Sequence, residues 1–361
     1  MILLLGASGY VGHAFARELQ RRRSSYIPLT RTALDYTNFD LLFDYIRKIR
    51  PEFIINAAGY TGKPNVDACE TTRVETLFAN TLLPQTIARV CLLTNTPWGQ
   101  ISSGGIYTGA KIMDGEKMRV IRDLNEPGVR RLFEQSPESL FGFTEWDEPN
   151  FSFRHAPCNF YSGTKALAEE AIRGIGQSYI WRPGTPFGEH SEPRNFLWKL
   201  QHYPKVYDAI ASLSHLDDFV RACLDLWEYH APFGIYNMTN PGAVATRQVI
   251  EMIQQILKPA RRFEYWKNDE EFYVLDTESP GPLIETLGHD RTLASDRPGA
   301  KSPRSHAILD VSKVLATGVK MRPVKEALED SLRNWREESP VGQLANHISS
   351  ANHIRNQSYE H

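Results

Sequence analysis

The sequence predicts an α/β protein, a doubly wound parallel sheet with a smaller C-terminal lobe interleaved with it. Three observations carry that expectation. The chain opens on an apolar run, Ile2-Leu-Leu-Leu5, of the kind a parallel strand buried on both faces requires. A glycine-spaced turn follows at once, Gly6-Ala-Ser-Gly9-Tyr-Val-Gly12, and leads into the helical run His13-Ala-Phe-Ala-Arg-Glu-Leu19. Short buried runs and amphipathic helical runs then alternate as far as Trp335, the rhythm of βαβ units.

The totals narrow the field. At 361 residues the chain exceeds one typical domain, so a large α/β unit or two fused lobes is expected. A net charge of -2 gives no electrostatic case for a nucleic acid or an anionic membrane as partner. The apolar start ends at Gly6, too short for a signal or membrane segment. Cys69, Cys91, Cys158 and Cys223 lie far apart without metal-like spacing, which fits a reduced, cytoplasmic protein. His347, His353 and His361 lack partner spacing, so no metal site is expected. The basic run Arg21-Arg22-Arg23 reads as a solvated helix C-terminus.

Taken in order, strand, glycine turn and helix form the phosphate cradle of a Rossmann-type sheet. Gly6, Gly9 and Gly12 permit a tight turn and close approach of backbone, with Ser8, Tyr10 and Val11 along it. The helix N-terminus then faces a pyrophosphate. The second strand, Tyr26-Ile-Pro-Leu-Thr30, ends at Arg31. An acidic residue there would hold the ribose 2′-hydroxyl of NAD, whereas arginine accommodates the 2′-phosphate of NADP. Thr30 and Arg31 therefore favour NADP(H), with NAD(H) left open.

A helix over 39–50 leads to the run Pro51-Glu-Phe-Ile-Ile55 and then Asn56-Ala57-Ala58-Gly59-Tyr60, whose small residues let a cofactor lie against the backbone. The helix expected over 74–92 carries Asn80, taken as a cofactor contact with a buried hydrogen-bonding asparagine as the alternative. Trp98-Gly-Gln-Ile101 runs into Ser102-Ser103-Gly104-Gly105, which puts Ser103 at the same sheet edge as a candidate partner for a substrate oxygen. Tyr161-Ser-Gly-Thr-Lys165 opens a helix, and residues four apart share a face. A lysine beside a phenol favours the phenolate, making Tyr161 a proton donor and acceptor. Arg182-Pro183-Gly-Thr185 follows the next buried strand. A helix over 216–227 is expected to pack back on the sheet, and 234–238 to return to it as a strand. Helices over 246–256, with Thr246 as cap, and 324–335 follow. The expected division is a dinucleotide-binding unit over 1–182, rejoined by about 213–242, a substrate lobe over 183–340 and a polar tail over 341–361.

In this order Gly6, Gly9 and Gly12, Asn56 to Gly59, Ser103, and Tyr161 with Lys165 resemble the extended short-chain dehydrogenase/reductase family, over roughly 1–335. Longer strings narrow the likeness. Asn56-Ala-Ala-Gly-Tyr-Thr-Gly-Lys-Pro-Asn-Val-Asp-Ala-Cys-Glu70, Gly142-Phe-Thr-Glu-Trp-Asp-Glu-Pro-Asn-Phe151, Pro193-Arg-Asn-Phe196, Tyr236-Asn-Met-Thr-Asn-Pro-Gly242 and Pro303-Arg-Ser305 are similar to dTDP-4-dehydrorhamnose reductases. They are closest to the reductase part of plant and viral nucleotide-rhamnose 3,5-epimerase/4-reductases. The resemblance implies a nucleotide-diphosphate 4-keto-6-deoxy sugar as substrate. Tyr161 would protonate the sugar oxygen as the nicotinamide delivers hydride, Lys165 would hold the nicotinamide ribose, and Ser103 would steady the carbonyl. It also implies Pro183 and Thr185 near the carboxamide, and Arg194, Asn195 and Arg304 beside the diphosphate, with Gly104 and Gly105 at the sugar. Relatives dimerise through the helices corresponding to 74–92 and 161–175, although no apolar stripe stands out there.

Departures matter too. Gly104 and Gly105 stand where sugar 4,6-dehydratases carry Asp-Glu, and epimerase/reductases usually place a cysteine at Gly105. Elimination thus lacks its acid and base, and 3,5-epimerisation lacks its cysteine unless Cys158 substitutes. A nucleotide-sugar 4-epimerase with bound NAD remains the alternative enzyme, and a non-catalytic cofactor-binding regulatory subunit the alternative of another class. The polar segments 111–141 and 267–301 exceed the relatives in length and read equally as lids or as surface decoration.

Overall fold

Six strands form the central sheet: β1 (Ile2–Leu5), β2 (Tyr26–Leu29), β3 (Phe53–Asn56), β4 (Trp98–Ile101), β5 (Ser178–Arg182) and β6 (Gly234–Asn237). In the computed structural model, which describes residues 1–63, 65–266 and 302–337, their order is β6-β5-β4-β3-β1-β2. Every neighbouring pair is parallel. The register aligns the carboxyl ends: Leu5 faces Leu29 and Asn56, Ile101 faces Trp181, and Arg182 faces Asn237. Strand order reverses at β1, which opens a crevice at that edge. The segment 267–301 and the tail 341–361 lie outside the described residues.

Alternation along the strands divides the core into two layers. Five helices supply the cover: α1 (Tyr10–Arg21), α2 (Phe39–Ile49), α3 (Leu83–Thr94), α4 (Phe160–Ile172) and α5 (Leu216–Glu228). On one face Phe15 and Leu19 of α1 and Phe219 and Leu224 of α5 pack on Leu4, Phe53, Tyr179 and Trp181. On the other, Leu42, Ile46, Ile87 and Ile172 pack on Leu3, Ile54, Trp98 and Ile180. Gly99 makes room for the Trp181 indole, since a Cβ there would lie 1.9 Å from the ring. The expected returning helix and strand are thus α5 and β6.

Several local expectations change in three dimensions. Arg22 is not simply solvated. It sits between Glu18, Asp225 and Glu228 at 2.8, 2.7 and 2.7 Å, because α5 runs beside α1 and presents its acids there. The helix expected over 74–92 is broken into Arg73–Leu77, a π-turn at Phe78–Leu82, and α3. Such a turn inserts a residue and re-aims side chains, here Asn80.

The second lobe is built on α6 (Thr246–Ile256), α7 (Val324–Arg333) and the short helix Phe196–His202. Val249, Ile250 and Ile253 interlock with Val324, Ala327 and Leu328 over Phe187 and Leu197. Thr246 does not cap α6. The Gln248 side chain accepts from the Ala245 N–H at 3.0 Å, while the Thr246 hydroxyl donates to the Ala209 carbonyl at 3.3 Å. Val311, Val314, Val319 and Met321, expected in the lobe, pack instead with the sheet.

The segment 111–141 is a folded layer. The hairpin Ala110–Asp114/Lys117–Ile121 and the helix Pro127–Gln135 bury Ile121, Leu124, Val129 and Phe133 against Ile210, Ala245 and Ile308 of the second lobe. No helix among the described residues is long and apolar enough to cross a membrane.

Candidate active site

The carboxyl edge of the sheet opens into a cleft of about 1040 Å³, closed on its far side by the second lobe. At its floor lies the glycine turn. Gly6 has φ +73, and a Cβ on it would lie 2.5 Å from the Ala58 nitrogen. A Cβ on Gly12 would lie 2.1 Å from the Gly6 carbonyl oxygen. These two glycines let the turn fold tightly against 57–59, while Ser8, Gly9, Tyr10 and Val11 face the cleft. Gly9 caps α1 without a side-chain hydrogen bond, so the first-turn N–H groups are presented to whatever occupies the cleft. That cradle suits a pyrophosphate. Beyond it Arg31 is exposed, and the Thr30 and Thr32 hydroxyls are 2.9 Å apart.

Ala57, Ala58 and Gly59 line the next part of the wall, and Pro183 and Thr185 the wall opposite. Two asparagines expected to touch the cofactor act from behind. Asn56 donates to Gln100 at 2.7 Å and accepts from the Ala58 N–H at 3.1 Å. Asn80 is fully buried and spends its side chain on Tyr60, accepting from its N–H at 2.9 Å and donating to its carbonyl at 2.8 Å. Both shape the loop after β3.

Above the loop stands α4. Asn159 caps it, accepting from the Ser162 N–H at 2.7 Å, and so fixes Tyr161 and Lys165 in its first turns. Lys165 Nζ donates to the Ile101 carbonyl at 3.1 Å and lies 5.9 Å from the Tyr161 ring centre. The Ser103 hydroxyl accepts from the Gly105 N–H at 3.0 Å and lies near enough to the Tyr161 phenol to favour its ionised form. Burial pushes that phenol up to about 12, outweighing the pull of Ser103. Burial also lowers Lys165 to about 8 against the pull of Glu169. The expected phenolate is therefore corrected: both groups are drawn out of water, desolvation dominates, and Tyr161 is a neutral acid.

Beneath the pair lies a buried ionic layer that sequence reasoning missed. Arg182 donates from Nε to both Glu169 oxygens, at 3.0 and 3.1 Å, and from Nη2 to Oε2 at 2.5 Å. Ser102 also donates to Glu169, and Arg182 Nη1 donates to the Tyr107 hydroxyl at 3.0 Å.

Around Gly105 three hydroxyls converge. The point where a Cβ would sit is 3.0 Å from Ser103 Oγ, 3.7 Å from Ser162 Oγ and 3.8 Å from Ser305 Oγ. Gly104 abuts Leu309, only 2.5 Å from a Cβ there. Cys158 is a thiol pushed up to about 11 by burial and lies away from the cleft lining.

The outer cleft is cationic. Arg194 donates to the Thr61 hydroxyl, and Arg304 pairs with Asp67 at 2.5 Å. Lys199, unnoticed in the sequence, lines the same wall, its pKa lowered by burial and then by Arg194 and Arg304. Phe196, Lys199, Leu200 and Tyr203 all face the cleft, a helical period that a search of this short helix would have revealed. Asn195 does not join them. It caps that helix, accepting from the Leu197 N–H at 2.9 Å and donating to Gly188 and His190 carbonyls at 2.7 Å each. Among the described residues no group of His, Cys, Asp and Glu is arranged to hold a metal ion.

A six-stranded parallel sheet, a glycine turn and a Ser-Tyr-Lys cluster at its carboxyl edge define a dinucleotide-binding protein of the short-chain dehydrogenase/reductase type. More narrowly, the chain belongs to the family described as RmlD substrate binding domain, whose model matches residues 1–337. A bifunctional dTDP-4-dehydrorhamnose 3,5-epimerase/dTDP-4-dehydrorhamnose reductase from Arabidopsis thaliana is 27% identical over 90% of this chain and 90% of its own. A trifunctional UDP-glucose 4,6-dehydratase/UDP-4-keto-6-deoxy-D-glucose 3,5-epimerase/UDP-4-keto-L-rhamnose-reductase from the same plant is 29% identical over 76% of this chain. The chain spans only 36% of that larger protein. Among solved structures, the UDP-rhamnose synthase of Acanthamoeba polyphaga mimivirus superposes with a TM-score of 0.72 at 19% identity, covering 92% of this chain and 98% of its own.

Proposed function

We propose that the protein is an NADPH-preferring reductase of the 4-keto group of a nucleotide-diphosphate 4-keto-6-deoxy sugar. One observation carries the reading: a neutral Tyr161 phenol and the Ser103 hydroxyl line a single cleft together with the glycine cradle and with Arg194, Lys199 and Arg304. NADPH, when bound, supplies the hydride. The chain supplies the rest. Ser103 orients the substrate carbonyl, and Tyr161 gives its proton to the oxygen as negative charge develops there. Lys165, held by the Ile101 carbonyl beside Gly59, binds the nicotinamide ribose and restores the proton after turnover. Arginine and lysine suit a diphosphate. Gly104 and Gly105 offer no acid, base or thiol, which leaves reduction as the chemistry served.

Two finer points belong to the same reading. Val74, Phe78 and Leu82 recur at every fourth residue and are exposed, beside the exposed Leu167 of α4. This exposed stripe supports a homodimer across that face. The four free cysteines support a reduced, cytoplasmic setting.

The test is loss of reduced-nicotinamide absorbance with NADPH or NADH and a panel of UDP- and dTDP-4-keto-6-deoxy sugars. Stoichiometric oxidation with an NADPH preference that falls in Arg31→Glu supports the reading. Sugar isomers appearing without net oxidation would replace it with a 4-epimerase. Cofactor binding without turnover would replace it with a regulatory role.

A further inference from the structure

The folded layer 110–135 has no counterpart in the strings that carry the family likeness, yet with its root at Gly109 it holds two residues of the cleft wall. Asn125, between the hairpin and the helix Pro127–Gln135, donates from Nδ2 to the Tyr207 hydroxyl at 2.6 Å. Arg130 steadies that asparagine, donating to its Oδ1 at 2.7 Å, and also pairs with Asp208 at 3.0 Å. Tyr207 is thus fixed at both its hydroxyl and its backbone neighbour. Its ring stacks on His306, with centres 5.4 Å apart and planes 19° from parallel. The same layer holds His306 from the other side. Gly109, at the root of the hairpin, donates to the His306 carbonyl at 2.7 Å and accepts from the Ile308 N–H at 3.0 Å.

Both rings line the cleft. Their place in it follows from Ser305, the residue before His306, whose Oγ approaches the point at Gly105 where Ser103 and Ser162 also converge. The pair therefore lies, through His306, one residue along the chain from the converging hydroxyls, with Arg304 near it on the cleft wall. Its chemistry is that of a flat, uncharged surface. His306 is held neutral by burial and by Arg304, and its Nε2 has no hydrogen-bond partner among the described residues. A stacked phenol and neutral imidazole make a poor diphosphate site and a good platform for the C–H face of a pyranose.

We infer that Tyr207 and His306 form the sugar-selecting wall of the cleft, and that the layer 110–135 sets substrate choice by fixing this pair through Asn125 and Gly109. The inference rests on the nucleotide-sugar reading above and names the part of the site that recognises the sugar ring itself.

Binding separates the two. Calorimetric titration of the full chain with NADP+ present would compare UDP and dTDP with UDP-glucose and dTDP-glucose. Tyr207→Ala should weaken the sugar nucleotides about fivefold to tenfold, the worth of an aromatic face, while leaving the free diphosphates within about twofold. Tyr207→Phe and Asn125→Ala keep the ring and remove its anchor. Each should cost about threefold, and the double variant no more than either alone, since both delete one hydrogen bond. These mild variants also keep the inference testable should Tyr207→Ala not fold. Unchanged sugar-nucleotide affinity in all three variants overturns the wall and leaves the reductase reading standing. Equal weakening of diphosphate and sugar nucleotide overturns it in favour of a base or phosphate contact. A wild-type protein that binds sugar nucleotides no better than free diphosphates overturns the nucleotide-sugar reading, and the wall with it.

Discussion

Replacing Glu169 with glutamine tests whether the ionic layer under the catalytic pair supports it. The Arg182 and Glu169 side chains are 3% and 5% exposed, so the guanidinium has no water to turn to. Three of its contacts to the carboxylate are 3.1 Å or shorter. Removing one partner of such a pair costs about 3–5 kcal/mol, mostly the cost of leaving the other charge buried alone. Glutamine keeps one acceptor for Arg182, which places Glu169→Gln near the lower figure, about 3 kcal/mol. At about 2.1 cal/mol/K of unfolding entropy per residue, a chain of 361 residues loses roughly 4 °C of Tm for that figure, read by circular dichroism. Glu169→Leu with Arg182→Met should recover most of the loss, since a packed apolar pair need not be worse than an ion pair. The carboxylate also supports the charge on Lys165 one turn away, so Lys165 in Glu169→Gln should titrate below about 8. A Tm within about 1 °C of wild type, with the pH profile unmoved, would refute the account of a coupled buried layer.

Tyr161→Phe removes the proton donor and should lower kcat about 10²- to 10⁴-fold while cofactor affinity, followed by fluorescence titration, holds. A loss below about tenfold would mean that another group protonates the product. Lys165 is charged below about pH 8 and neutral above it, so kcat/KM for reduction should be level at neutral pH and decline as pH rises through that value. A stopped-flow profile that stays flat well beyond it contradicts the assignment. Val74→Asp with Leu82→Asp places charge on the exposed stripe and should yield a monomer by light scattering, with the fold intact. An unchanged mass, whether of monomer or dimer, removes that face from consideration.

What could be read in the chain was what repeats locally. The buried run Ile2–Leu5, the glycine turn after it and the four-residue spacing of Tyr161 and Lys165 each carry their geometry within a few residues. What could not be read was assembled across distance. Glu169 and Arg182 look like ordinary surface charges until α4 lies over β5. Arg22 meets its acids only because α5 packs beside α1. Asn80 and Asn195, expected at the cofactor and at the substrate, turn their side chains to backbone groups rather than to the cleft. The phenolate expectation failed for another reason. Spacing says that a lysine is near a tyrosine, and it says nothing about how far both are withdrawn from water.

The interleaving of the two lobes bears on how the chain is made. Leaving the ribosome from the N-terminus, β1 to β5 emerge before α5 and β6, with Phe187 and Leu197 of the other lobe between them. Until Asn237 has emerged, β5 is an unpaired edge, and the face bearing Phe53, Tyr179 and Trp181 lacks the Phe219 and Leu224 that cover it. The nascent protein must therefore carry a sticky, half-clad sheet while the stretch between Arg182 and Asn237 is made. A gene cut after the apparent first domain would leave it in that state, prone to aggregation and dependent on chaperones.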